Sequence, residues 1–474
     1  MLLIKIDRND SKKYIYQQIY QEIKKAILEG KLLPDEKLPS KRTLAKDLNV
    51  SINSVTNAYE QLLAEGYIYT IERSGYYVET IKHFMSATEQ EMQAPFPEDL
   101  KEEEKVDREG WLSLSHMTAD ISMFPFKEWM KCERMAIQYH EHELSNISHP
   151  QGPYLVRETI ARLIAVSRGV NCEPEQVVIG PGTQPLIRQI MDMQSKNITA
   201  AIENPGYFRL YQQLKDMDVT ISPIPLDEKG VDINKVEELN PNFLFITPSH
   251  QFPTGIIMPI SRRLELLNWA KNQDTYIVED DYDSEFKYGT DNIPSLQSLD
   301  RHQRVIYTGT FSKTIMPGLR VSYVVLPPEL LREYRRHYSN WIQGSNILTL
   351  LTLHYFIETG EYSKHIKRMN SHYERKRELL VDELSRQFKD YVSIYNMKAG
   401  LHFLAEFNTD KTYDEITERA KWKKLEIYPL TRFLLAEEFQ FKDRIVLILG
   451  FATIDLKDIP EAVQRLYEII YGED

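Results

Sequence analysis

The sequence predicts a multidomain chain: a small N-terminal α+β domain, a linker, and a large α/β domain that ends in a smaller α+β part. Three observations carry this. In residues 1–79, apolar side chains recur at helical spacing behind serine starts and give way to a hairpin pattern. Residues 80–110 bear prolines and an acidic stretch with few apolar side chains. From about residue 175, short unbroken apolar runs alternate with helix-like segments, as in a mostly parallel sheet buried on both faces. The 474 residues exceed one ordinary domain, and 42% hydrophobic with 27% charged residues supply material for real cores.

In the first segment, Tyr16, Ile19, Tyr20, Ile23 and Ile27 share one helical face, and Gly30 gives that helix a stop. Ser40 stands ahead of Lys41-Arg42-Thr43-Leu44-Ala45, where its hydroxyl can accept from the free amides of a second helix with Leu44, Ala45 and Leu48 inward. Asn49-Val50-Ser51 makes a turn, and Ser51 starts a third helix that points Val55, Ala58, Tyr59, Leu62 and Leu63 inward. Two short helices across a tight turn form a helix-turn-helix. Tyr67 to Ile71, then Glu72-Arg73-Ser74-Gly75, then Tyr76-Tyr77-Val78 predict a two-stranded wing turning at Gly75.

The formal net charge of -12 excludes a protein whose whole surface coats nucleic acid or anionic membrane, so any DNA contact must be local. Residues 1–79 carry 12 Lys+Arg against 11 Asp+Glu, which leaves the acidic surplus in the rest of the chain. As a flexible coil, the linker spans on the order of 30 Å, and up to about 100 Å if drawn straight, so it can hold two domains far apart. Cys132 and Cys172 have no metal-ligand spacing and indicate neither a disulfide framework nor a zinc site. The N-terminus has no basic start followed by an apolar run, and no stretch is long and apolar enough for a membrane helix. A soluble, cytoplasmic protein is expected.

In the large domain, ligands of such a sheet sit beyond the carboxyl ends of its strands. After Val177-Val178-Ile179 comes Gly180-Pro181-Gly182-Thr183-Gln184, a glycine turn entering a helix whose amides suit a phosphate. Ala200-Ala201-Ile202 leads to Glu203-Asn204-Pro205-Gly206-Tyr207, which offers a ring for stacking. Phe243 to Ile246 precedes a proline-rich loop, Thr247 to Gly255; Tyr276-Ile277-Val278 precedes Glu279-Asp280-Asp281-Tyr282. Val305-Ile306-Tyr307 precedes Gly309-Thr310-Phe311-Ser312-Lys313, and Pro317-Gly318-Leu319-Arg320 follows. The last part, from about residue 370, mixes helices with strands at Leu401 to Ala405 and Val446 to Leu449. Together these strand ends offer what pyridoxal 5'-phosphate requires: a lysine for an imine, a carboxylate for the pyridinium nitrogen, and phosphate donors.

In this order the residues resemble fold-type I aminotransferases over roughly residues 110–474. The resemblance implies that Lys313 forms the Schiff base with the cofactor and that Asp280 keeps the ring nitrogen protonated. It implies that Tyr282 bonds the phenolic oxygen, that Tyr207 stacks on the ring, and that Gly182, Thr183, Gln184, Thr310 and Arg320 surround the phosphate. Arg432 matches an arginine that binds substrate carboxylate. Aminotransferases commonly carry Asn before Pro-Thr-Gly, where this chain has Phe252.

The first segment resembles the GntR-type winged helix through Leu38 to Ala45, Val50 to Val55 and Leu62-Leu63-Ala64-Glu65-Gly66. Ile52 stands where that family usually has Arg. The resemblance implies contact with a double-stranded operator through Lys41, Arg42, Ser51, Asn53, Ser54, Asn57 and Arg73. A GntR-type head on an aminotransferase-like body is the MocR arrangement, so the chain is expected to be a bacterial transcription regulator with domains 1–79 and 111–474, the latter's smaller portion at about 370–474. His149-Pro150-Gln151-Gly152, Gly400-Leu401-His402 and Thr431-Arg432-Phe433 make it most similar to the GabR type, whose effector is γ-aminobutyrate. Arg209 matches that type's second carboxylate-binding arginine. The implied protein is a head-to-tail, domain-swapped homodimer that senses an amino acid by external aldimine formation and runs chemistry slowly or incompletely. Two alternatives stay open: a working aminotransferase with an accessory DNA-binding head, and a regulator of this kind that answers a different amine. A GntR-type repressor whose body only dimerises would lack the intact lysine, aspartate, tyrosine and arginine set.

Overall fold

The computed structural model describes residues 4, 6–7, 13–81, 96–101, 108–116, 120–194, 197–289, 293–395, 398–436 and 444–472. The linker expected at 80–110 therefore lies largely outside the described residues. The chain divides into two compact units, Met1–Val106 and Asp107–Asp474.

The first unit holds helices Ile15–Leu28, Lys41–Leu48 and Ile52–Ala64 and a hairpin of Ile68–Ile71 with Gly75–Val78. Ser40 Oγ accepts from the Thr43 amide at 3.2 Å and Ser51 Oγ from the Ser54 amide at 3.1 Å, so both serines cap their helices. Ile19, Ile23, Leu44, Val55, Tyr59, Leu62, Ile68 and Val78 form one buried core, each fully buried aliphatic contributing about 1.5–3 kcal/mol. The Tyr59 hydroxyl donates to the Pro39 carbonyl at 2.9 Å, tying the third helix to the start of the second.

The second unit is built on an eight-stranded sheet. Its spatial order is Val177–Gly180, Ser322–Val325, Val305–Thr310, Tyr276–Asp281, Phe243–Ile246, Thr199–Asn204, Thr220–Asp227, Gly230–Val231. The central strands pair in parallel, as the apolar runs predict. Ser322–Val325 runs against both of its neighbours and Gly230–Val231 against its one. Helices Thr183–Asp192 and Phe208–Asp216 cover one face with Leu186, Ile190 and Leu214; helix Ile260–Gln273 covers the other with Leu266, Trp269 and Ala270.

The smaller part is a four-stranded antiparallel sheet of Val392–Tyr395, His402–Phe407, Ile445–Gly450 and Tyr428–Pro429, packed on helices Glu361–Phe388 and Ile459–Tyr471. The 28-residue helix Glu361–Phe388 passes unbroken through residue 370, where the sequence suggests a change of structure. Leu112–Ser113 joins this part by pairing in parallel with Leu425–Glu426. Among the described residues, no helix is long and apolar enough to cross a membrane.

Candidate functional site

The parallel strands deliver their carboxyl ends to one cleft enclosing about 250 Å³, room for a substituted pyridine ring. Gly182, Thr183, Gln184, Tyr207, Arg209, Asp280, Tyr282, Thr310, Lys313 and Arg320 all line it. Of the residues singled out for cofactor and effector, only Arg432 is not part of the lining: its guanidinium lies 4.8 Å over the Tyr428 ring, near enough to the cleft to act on His116.

One end of the cleft is built for an anion. Gly182 precedes helix Thr183–Asp192 with φ at 136°, and a Cβ there would run into an Arg320 nitrogen. That close approach brings a guanidinium beside the helix's free amides. The Thr310 hydroxyl lies 3.1 Å from Ser312 Oγ and accepts from Ser322 Oγ at 2.9 Å, lining the same end with hydroxyls.

At the other end, strand alternation turns Asp280 into the cleft, where the Thr308 hydroxyl donates to its Oδ1 at 3.0 Å. Burial raises the Asp280 carboxyl to about 6, with Thr308 pulling it down and Asp281 and Asp283 pushing it up. Its neighbours Glu279 and Asp281 face away. Arg168 Nε donates to Asp281 at 2.6 Å and the Tyr307 hydroxyl donates to the same oxygen at 2.5 Å, fixing the strand from behind.

Lys313 follows strand Val305–Thr310, and its Nζ donates to the His116 carbonyl at 2.8 Å. Burial pulls this amine down to about 8, while Asp283 works the other way. His116 is itself buried with both ring nitrogens lacking a hydrogen-bond partner. Burial, with Lys313 and Arg432 adding to it, holds the imidazole down at about 3 and therefore neutral. Phe252 occupies the wall edge-on to Tyr207, Tyr282 and Phe433, at 6.0, 5.9 and 5.3 Å between ring centres.

A family model described as aminotransferase class I and II matches residues 111–440, and one for bacterial regulatory proteins of the gntR family matches residues 15–78. YdeL, an uncharacterized HTH-type transcriptional regulator of Bacillus subtilis strain 168, is 37% identical over 95% of this chain and 96% of its own. The probable rhizopine catabolism regulatory protein MocR of Rhizobium meliloti is 31% identical over 98% of this chain and 95% of its own. The chain belongs to the MocR-type transcription regulators. LysN, an α-aminoadipate aminotransferase from Thermus thermophilus complexed with N-(5'-phosphopyridoxyl)-L-leucine, matches the regulator's fold with a TM-score of 0.68. That match has 26% identity over 77% of the regulator and 92% of LysN.

The regulator's cofactor is pyridoxal 5'-phosphate. The residues present fit it, because the cleft combines an amine, a partly buried carboxylate and an anion cradle where Arg320 closes on Gly182, whose φ of 136° suits glycine. Sequence reasoning missed His116, His250 and Asp283. His116 follows the short strand Leu112–Ser113, which lies outside the eight-stranded sheet, and no spacing rule points to it. His250 and Asp283 lie within or just after the strand-end loops that the sequence marks out, but next to residues with more familiar roles.

In the regulator's head, Arg42, Asn53, Asn57 and Arg73 are exposed and Lys41 and Ser54 are partly so. Lys41 stands 5.4 Å over the Tyr76 ring and 3.9 Å from Glu60. The Ser51 and Ser54 hydroxyls lie 2.8 Å apart, and Ser51 is engaged as the helix cap. Ile52, where the family's arginine would stand, is 49% exposed, so an apolar side chain faces outward at the start of the second helix of the pair.

Proposed function

We propose that this MocR-type regulator senses an amine bearing a distant carboxylate, γ-aminobutyrate first among them, and converts its capture into altered contact with an operator. The observation that carries the reading is that one cleft is lined both by the partly buried Lys313 and by the exposed Arg209, so an amine and a carboxylate can be held at once. When bound, pyridoxal phosphate supplies an aldehyde carbon that condenses with primary amines and a ring that draws electrons from them.

Each residue's part follows from its place. Lys313 would hold the cofactor through Nζ. Asp280 would keep a proton on the ring nitrogen, Tyr282 would donate to the phenolic oxygen and Tyr207 would lie against the ring. Gly182, Thr183, Gln184, Thr310 and Arg320 would hold the phosphate. Arg209 takes the effector carboxylate, and Arg432 joins it by leaving Tyr428. Phe252 removes a polar partner from the wall, which supports sensing over rapid turnover.

Lys41, Arg42, Asn53, Ser54, Asn57 and Arg73 contact the operator, with Ser51 holding the helix start. The protein acts in the cytoplasm as a head-to-tail homodimer. Exposed Phe126, Met130 and Ile137, on one side of helix Phe126–Tyr139, support a face covered by a second copy.

The test is a spectral titration of the purified protein with α-, β- and γ-amino acids, paired with operator binding. γ-Aminobutyrate is expected to shift the cofactor band and change operator affinity, and Lys313→Ala to abolish both. A Lys313→Ala protein that still responds normally would overturn the reading. Steady turnover with a keto acid at ordinary enzymatic rates would instead favour a working aminotransferase.

A further inference from the structure

His250 and Asp283 are buried, and the His250 Nδ1 atom lies 3.1 Å from both carboxylate oxygens of Asp283 and 3.0 Å from the Tyr282 hydroxyl. Its other ring nitrogen, Nε2, is buried without a partner. A nitrogen equidistant from two carboxylate oxygens is a donor, so Asp283 places a proton on Nδ1, and Nε2 has no partner to compete for it. That assignment bears on Tyr282. A protonated Nδ1 turned to Asp283 has no lone pair to accept the phenol's hydrogen, so the proton of the Tyr282 hydroxyl, whose oxygen is 3.0 Å away across that contact, is left to point into the cleft.

A third residue makes this arrangement possible. Gly400 has φ at 74°, and a Cβ there would run into His250 Cε1 and stand 2.7 Å from an Asp283 oxygen. Only glycine lets this loop close over the pair. The groups facing the pair and Tyr282 are Asp280, Asp281, Glu285 and Tyr288 along the same segment, Glu203 from a neighbouring strand end, Lys313 across the cleft, and His402 from the smaller sheet. His402 contributes no competing donor, since its Nε2 is 3.0 Å from the Pro253 carbonyl.

We propose that the His250–Asp283 pair is a positioning device that orients the Tyr282 hydroxyl toward the cofactor's phenolic oxygen, compensating for the side-chain donor absent at Phe252. It rests on the reading of Tyr282 given above. A hydroxyl donating to that oxygen weakens its hold on the proton it shares with the lysine nitrogen. Loss of the donor therefore moves the pH midpoint of the cofactor's visible band upward, by about one unit for a hydrogen bond to a charged group.

The experiment is a pH titration of that band in the loaded protein and in Tyr282→Phe, His250→Leu, His250→Ala and the Tyr282→Phe/His250→Leu double variant. Leucine fills the ring's space without its nitrogens. His250→Leu is expected to shift the midpoint in the direction of Tyr282→Phe, and the double variant to match Tyr282→Phe alone. A His250 shift that persists undiminished without the Tyr282 hydroxyl, or no shift while Tyr282→Phe shifts, overturns the proposal. No shift in Tyr282→Phe itself overturns the reading of Tyr282 instead. Should the His250 variants fail to retain cofactor, nitrogen NMR of the unaltered protein decides the matter: a His250 ring protonated on Nε2 rather than Nδ1 sinks the idea.

Discussion

Lys313 should load its cofactor at a pH where an ordinary lysine is almost wholly charged. The attacking form is the neutral amine, and burial pulls this group from 10.5 to about 8. At pH 7.5, a group titrating near 8 is about one-quarter neutral, against about one part in a thousand for a free lysine, a gain on the order of 200-fold in nucleophile. The assay mixes cofactor-free protein with pyridoxal phosphate between pH 6 and 10 and follows the visible band as it forms. The logarithm of the rate should climb with unit slope and level off near pH 8. Asp283 favours the charged amine, so Asp283→Asn should level off at a lower pH still. A rate that climbs without a break to pH 10 would refute the dry, low-dielectric account of this lysine. A break that Asp283→Asn leaves in place would remove the carboxylate from it.

Glu203 is buried at a strand end, with Oε2 accepting from the Thr247 amide and hydroxyl at 3.0 and 2.7 Å and Oε1 unpartnered. Burial raises it to about 7. The folded state thus holds this proton more tightly than the unfolded chain, and the associated stability is complete below about 4.5 and lost as pH rises through about 7. Glu203→Gln should leave thermal unfolding unchanged near pH 5 and stabilise the protein at pH 8, by at most about 3 kcal/mol; equal effects at both values would contradict this. Arg42→Ala should weaken operator and random DNA alike and lower the salt-dependence slope by about 1, measured by titration at several salt concentrations; a loss confined to the operator would make Arg42 a base reader. Met130→Asp on the exposed apolar face of helix Phe126–Tyr139 should raise the dissociation constant of the proposed homodimer at least tenfold in sedimentation, whereas an unmoved constant would place the interface elsewhere.

What was legible in the sequence is what local physics controls. Ser40 and Ser51 announce helix starts because a hydroxyl at that position has few better uses than capping, and both do cap. The apolar runs announce buried strands, and the cleft lies beyond their ends because a mostly parallel sheet opens its crevice at the strands' carboxyl ends. An unbroken run carries no arrow, however, so the reversed direction of Ser322–Val325 could not be read. The pairing of Leu112–Ser113 with Leu425–Glu426 is set by contacts more than three hundred residues apart, and the same strand leads to His116 in the cleft. Arg432 can be named from sequence, but its place over Tyr428 depends on a side-chain rotamer that no spacing encodes.

The acidic run Glu279-Asp280-Asp281 shows where the two kinds of information meet. By composition alone, three consecutive carboxylates at a strand end are solvated caps. A strand, however, turns successive side chains to opposite faces, so only one of the three can share the cleft with Lys313. The other two need partners on the far side, and they have them: the Leu296 and Gln297 amides donate to Glu279 at 2.7 and 2.9 Å, and Arg168 and Tyr307 donate to Asp281. Those bonds lock the strand's rotation about its axis, and that rotation aims Asp280. Its aim therefore depends on residues that never touch the ligand. Arg168→Met would leave Asp281 buried without its charged partner, and its first effect on the cleft would be a misdirected Asp280 rather than a missing one.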